Sequence, residues 1–150
     1  MVGTTTKKRL GLASLTADLV GKPYQLGGWG NPGYDCLSLI YTTLERGGIV
    51  LPTSFSGYTK DDYMKLWEEN PRRAKAIYIR FLSSISIKIK PLFSRAKDIL
   101  IVKDYEGDSV IGLNAGNGLF LSCFTDVGVD LARLENYKVM RVYRWENRKN

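Results

Sequence analysis

The chain has 150 residues, 44% hydrophobic and 25% charged, the balance of a globular protein rather than a disordered or fibrous one. That length suits one domain burying about 68–70% of its unfolded surface, and no apolar run approaches the roughly 20 residues of a membrane-spanning helix. Lys and Arg number 22 against 15 Asp and Glu, for a net charge of +7; two cysteines and no histidine make neither a disulfide framework nor a zinc set.

The opening stretch, MVGTTTKKRLGLASLTADLVGK, is basic but has no continuous apolar core and no small-residue cleavage site. No signal peptide is expected, so the chain is expected to stay inside the cell that makes it unless it leaves within a larger particle. Residues 8–20 read as a helix, with Leu10, Leu12, Leu15, Leu19 and Val20 on one broad apolar face. GKPYQLGGWGNPGY follows as a structured loop, because Tyr24, Trp29 and Tyr34 are interleaved with its glycines. Asp35 then fits the N-cap of a helix starting at Cys36, which Gly47-Gly48 ends. Cys36 has two readings: a small buried hydrophobe, or a thiol set at a helix N-terminus whose partial positive charge favours the thiolate. Cys123 reads as a core strand residue, and a Cys36–Cys123 bridge stays open, disfavoured in a reducing compartment.

A second helix is expected near Thr59, with Thr59 as cap, Asp61 and Asp62 in its first turn and Tyr63, Leu66 and Trp67 on one face, until Asn70-Pro71 stops it. Residues 73–82 are a further helix candidate. Beyond them the period becomes two: in SISIKIK, Ile85, Ile87 and Ile89 alternate with Ser86, Lys88 and Lys90 as in a half-buried strand. Further strands are expected at 98–103, 109–115, 119–124 and 138–145, with a hairpin turn at 115–118. Helices first and an antiparallel sheet after define an α+β domain. From Asn70 to Lys97 there are eight basic residues and no acidic one, either a solvated face or a docking surface for something acidic. No aromatic-interleaved motif accompanies the run, which places nucleic acid low among its partners.

The order of parts resembles the NlpC family of papain-like cysteine peptidases, which cut peptide bonds in bacterial cell walls. The pieces are a helix, GKPYQLGG, a Gly-rich loop, DC opening a helix that ends in GGIVLP, then AKDILIV, a strand ending in GNG, and LFLSC. The resemblance implies a papain-like NlpC fold, N-terminal helices packed on a small antiparallel β-sheet. It implies one domain over 1–150, with a core at about 8–145 and a basic insert at about 55–95. It puts Cys36 in the nucleophile slot and Tyr24 and Asp35 where substrate is held. A histidine in the pattern H-x-G-x-x-x-G would fall at Val110, or at Ser109 with a one-residue bulge, and a third polar group at Ser122. Neither slot holds a base. Leu37-Ser38 stands where the family has a small or aromatic residue and then Gly, and Asn114 where it tends to have an aromatic.

Without a base the chemistry stalls. A free thiol with a pKa of about 8.5 is only a few per cent ionised at neutral pH, and amide cleavage needs an acid to protonate the leaving amine, worth roughly 10²–10⁴-fold. Asp98, Asp108 or a lysine of the basic run are the conceivable substitutes, and nothing in the spacing favours them. The long middle segment resembles the branch of the family found in bacteriophage tails. A structural tail-tip component with a degenerate catalytic centre is therefore expected. It would work without cofactor or metal, join other particle proteins in a hetero-oligomer, and reside in the virion after synthesis in the host cytoplasm. Arg72, Arg73, Lys75, Arg80, Lys88, Lys90 and Trp67 are the expected contacts, although Trp29 and Trp67 also read as packing anchors. An active peptidase using Cys36 with a non-histidine base, and a non-cutting module that grips peptidoglycan, are the alternatives.

Overall fold

The computed structural model describes residues 11–30, 33–48, 54–55, 58–59, 62–84 and 86–145. The chain builds α1 (Leu12–Leu15), α2 (Cys36–Arg46), a two-stranded ribbon of β1 (Ser54–Phe55) and β2 (Tyr58–Thr59), α3 (Tyr63–Glu69) and α4 (Pro71–Ser84). Then come β3 (Ser86–Ile89), β4 (Ile99–Lys103), β5 (Ser109–Gly116), β6 (Leu119–Phe124), β7 (Gly128–Arg133) and β8 (Lys138–Trp145). The last six strands form one antiparallel sheet in the order β3-β8-β4-β5-β6-β7. Helices first and an antiparallel sheet after is the α+β architecture the residue pattern predicts. Among the described residues no helix is long and apolar enough to cross a membrane.

The central helix is α2, which packs on β5 and β6. Its start is fixed by a reciprocal capping box. Asp35 Oδ1 accepts from the Ser38 N–H at 2.9 Å, and the Ser38 hydroxyl oxygen accepts from the Asp35 N–H at 3.0 Å. Leu37, Leu39, Ile40, Tyr41 and Leu44 are all buried, each such side chain contributing about 1.5–3 kcal/mol of transfer free energy. The main core lies between α2 and one face of the sheet, reached by Ile99, Leu113, Leu121 and Val129. Alternation sends Leu100, Val102, Phe120 and Val142 into a second, smaller cluster on the opposite face.

Two helix starts differ from expectation. Only Leu12–Leu15 of the 8–20 stretch is helical among the described residues, with 8–10 outside them. The Thr16 hydroxyl donates to the Leu12 carbonyl at 2.9 Å, and the chain then turns back on the Thr16 carbonyl, which accepts from Leu19 N at 2.9 Å and Val20 N at 3.2 Å. Thr59 is no helix cap: it pairs with Ser54 in the β-ribbon, and α3 begins after Asp62. Asp61, Ile85 and the segment 49–53 lie outside the described residues. Asn70 ends α3 and caps α4, its Oδ1 accepting from Arg73 N at 3.1 Å.

The β5–β6 hairpin turns on Asn117 and Gly118, with φ of 56° and 75°. Two successive left-handed residues make the turn type that Asn-Gly favours. Strand β7 was not foreseen. It pairs with β6 from Leu119↔Arg133 to Phe124↔Gly128 and forms one edge of the sheet.

Candidate functional site

Cys36 is the first residue of α2, so its side chain leaves the helix toward β6. Its thiol donates to the Cys123 carbonyl at 3.4 Å and lies 3.8 Å from the Ser122 hydroxyl. Ser122 is fully buried, and its single proton goes to the Ile111 carbonyl on β5 at 2.8 Å. The Cys123 thiol turns the other way and donates to the Tyr34 carbonyl at 3.1 Å. Both cysteines are free thiols.

Burial pushes the Cys36 thiol up from its ordinary range; the Ser122 contact pulls it partly back, and the nearby Asp35 carboxylate pushes it up again. Some of Cys36's surface is exposed, but its sulfur is packed against the sheet, so desolvation dominates. The Cys123 thiol is pushed up to about 12 by burial, with Cys36 and Asp35 adding to it. Tyr24, half-buried in the loop before the helix, is likewise pushed up to about 12 by burial and then by Cys36 and Asp35. All three groups therefore hold their protons at neutral pH.

Ser122 thus stands beside the thiol, and Tyr24 shares its surroundings. Asp35 is buried and engaged: besides the Ser38 amide, its Oδ2 accepts from Gly27 N at 3.0 Å. Its carboxylate secures the helix start to the Gly-rich loop. Val110 does not sit among the α2-facing residues. It packs in the second cluster with Leu100, Val102, Phe120 and Val142, while Ile111 and Leu113 of the same strand face the main core. Ser109, the bulge alternative, is exposed. Gly112 lies under the Phe120 ring, where an added Cβ would come within 2.7 Å of ring carbons.

The candidate substitute bases are elsewhere. Asp98 is buried in a two-pronged pair with Arg144, at 2.9 Å to Nε and 2.8 Å to Nη2. Asp108 is exposed in the Asp104–Asp108 turn. Among the described residues no group of three or more Cys, Asp or Glu is placed to hold a metal ion.

Of the expected contact residues, Arg72, Arg73, Lys75 and Arg80 are exposed on α4, and Lys88 and Lys90 are exposed at the β3 edge. Trp67 is the correction: it is buried in the main core, 8% exposed, because α3 turns its Leu66–Trp67 face inward. Two residues had further work than the reading of the residues assigned. Ser38 serves the capping box where the resembling family has glycine. Asn114 ties the 94–98 turn to β5, its Nδ2 donating to Ser94 Oγ at 2.8 Å and its carbonyl accepting from Lys97 N at 2.7 Å.

No protein-family model matches the chain, and no curated protein does. Solved structures do match. NlpC2 from Trichomonas vaginalis is similar with a TM-score of 0.58 at 18% identity, over 93% of this chain. The chain spans 49% of that protein, and 44% of NlpC1 from the same organism. The P60 domain of an M. avium subspecies paratuberculosis antigen gives a TM-score of 0.55 at 17% identity, covering 99% of this chain and 100% of that one. The NlpC/p60 domain of the peptidoglycan hydrolase SagA gives 0.54 at 17% identity, over 89% and 95% of the two chains. The fold is that of the NlpC/P60 domains.

Proposed function

We propose that the chain is a non-cleaving NlpC/P60-like domain that serves as a structural component of a bacteriophage tail tip or related particle. One observation carries the first half: the Cys36 thiol is packed against β6 and held protonated, in a sequence without histidine. A thiol in that state is a poor nucleophile, and the sequence has no histidine to protonate a leaving amine. The assembly role is supported by the α3–β3 segment, which presents Arg72, Arg73, Lys75, Arg80, Lys88 and Lys90 to solvent and resembles the long middle segment of the tail-associated branch. Its partners are then acidic surfaces of other particle proteins, and its location is the virion.

The competing reading is an active wall peptidase, favoured by the placement of Cys36 at a helix N-terminus in this fold. Purified bacterial wall peptides incubated with the wild type and with Cys36→Ala decide between them. No cleavage by either folded protein across mildly acidic to mildly alkaline pH is expected. Cleavage that disappears in Cys36→Ala overturns the proposal. Retention of the peptides without cleavage points to a wall-binding module instead.

A further inference from the structure

We propose that a cavity at the C-terminal end of α2 binds a small amphiphilic carboxylate, an apolar chain of modest length ending in one anionic head. The cavity has a volume of about 300 Å³, room for about ten non-hydrogen atoms at the ~30 Å³ that a liquid water occupies. It is not the thiol site: Thr43, Leu44 and Gly47 line it, seven to eleven residues along the helix from Cys36, or about 10–16 Å at 1.5 Å per residue.

Its lining is mixed. Leu15 and Trp145 are half-buried apolar side chains of the wall, with Leu12 and Leu44 almost fully buried among the same lining residues. Arg95, Lys97, Asp98 and Arg144 also line it, and the Asp98 carboxylate is already occupied by Arg144 and by the Arg95 N–H at 2.9 Å. Two cations, Arg95 and Lys97, are left with no acidic partner among the described residues. A cavity lined by apolar side chains and two unmatched cations matches an apolar tail carrying a negative head.

The 95–98 turn that supplies these cations is also held in shape. Lys97 has φ of 77°, one of only two non-glycine residues described with positive φ. A side chain there is uncommon and persists only where its surroundings hold it. Here Asn114 does so, accepting from Lys97 N at 2.7 Å, while Asp98 N donates to the Arg95 carbonyl at 3.1 Å. A glycine would meet the backbone need better, so the lysine side chain is kept at a conformational cost.

Sodium octanoate titrated into the full chain tests this by ¹H–¹⁵N spectroscopy. Expected are saturable shifts at the Gly47, Ala96 and Lys97 amides and the Trp145 indole, with Cys36 unmoved. Octanol, which lacks the charge, and acetate, which lacks the tail, should each bind about tenfold more weakly. Lys97→Gly removes the ammonium from a position glycine prefers, so its melting temperature should hold or rise while octanoate binding weakens about tenfold. Absence of saturable shifts, equal binding of octanol, shifts centred on Cys36, or undiminished binding by a folded Lys97→Gly would each overturn the proposal.

Discussion

The two ends of α2 were built for different ends. At its N-terminus the polar groups around the thiol are engaged within the fold: Asp35 holds Ser38 and Gly27, Cys36 donates into β6, and Ser122 turns to Ile111. At its C-terminus Gly47 lines a cavity together with Arg95 and Lys97, neither of which has an acidic partner among the described residues. The N-terminal end is where the resemblance places chemistry, and here its thiol is packed against β6 and held protonated. Activity in a fold depends on which groups stay open to solvent and substrate, and a nucleophile slot filled by a cysteine does not settle it.

The most damaging change is expected at the C-terminal end. Asp98→Ala would leave the partly buried Arg144 guanidinium without its partner and the Arg95 amide without its acceptor. The expected loss is about 3 kcal/mol, the lower end for an orphaned buried charge because Arg144 keeps some solvent contact. Urea unfolding measures it, and replacing both residues by apolar ones should recover part of the loss. If Asp98→Ala costs nothing, the pair does not organise that end.

At the N-terminal end, Asp35→Ala removes the cap and strands two amides, with an expected loss of about 2 kcal/mol. It should also move a second readout in the opposite sense. The Asp35 carboxylate helps hold the Cys36 thiol protonated, so the variant should alkylate faster at a given alkaline pH. A stability loss with no change in alkylation would mean that burial alone sets the state of the thiol.

The thiols give a pH dependence of fixed sign. Unfolded cysteines ionise at about 8.5, whereas folded Cys123 is pushed up to about 12 and Cys36 is also raised. Between those values the unfolded chain loses protons that the folded chain keeps, so stability falls as pH rises. The slope is about 1.4 kcal/mol per pH unit for each thiol, present above the unfolded value and absent at neutral pH. Cys123→Ala should flatten the decline, although it also lowers the starting stability by opening the core. A flat profile in the wild type would contradict the burial of both sulfurs.

Local signals made much of this architecture legible. The Asp35 cap, the Asn-Gly hairpin and the strands β4, β5, β6 and β8 each depend on neighbours a few residues away, and each appears where the pattern puts it; β3 also forms, but its Ile87, expected on the buried face, is exposed because β3 is an edge strand. Strand β7 was missed because GVDLAR has too short an alternation, with Val129 buried and Asp130 and Arg133 exposed. Trp67 was read both as a packing anchor and as a contact, because an amphipathic aromatic suits a core or a surface; the packing of α3 puts it in the core. At the site, Cys36 could be read from the residues and Ser122 from the resemblance, but the Ile111 and Cys123 carbonyls that hold them could not, since a backbone acceptor has no residue signature. The Asp98–Arg144 pair joins positions 46 apart, and nothing in either neighbourhood announces the other.

The smallest expected effect lies on the outside of the C-terminal end. Arg46 meets Asp18 at 2.6 and 3.1 Å and also donates to the Leu15 carbonyl at 3.1 Å, tying α2 to the chain after α1. Both ionic partners are well exposed, so screening and side-chain entropy leave little net gain. Asp18→Asn should barely shift the unfolding midpoint, and high salt should erase that shift. Arg46→Ala should cost somewhat more, because it also removes the donor to Leu15 and the aliphatic stem that covers that turn. If the two variants behave alike, the ion pair alone makes the connection. If Arg46→Ala is the worse and its excess survives high salt, the backbone contact holds the cavity wall in place.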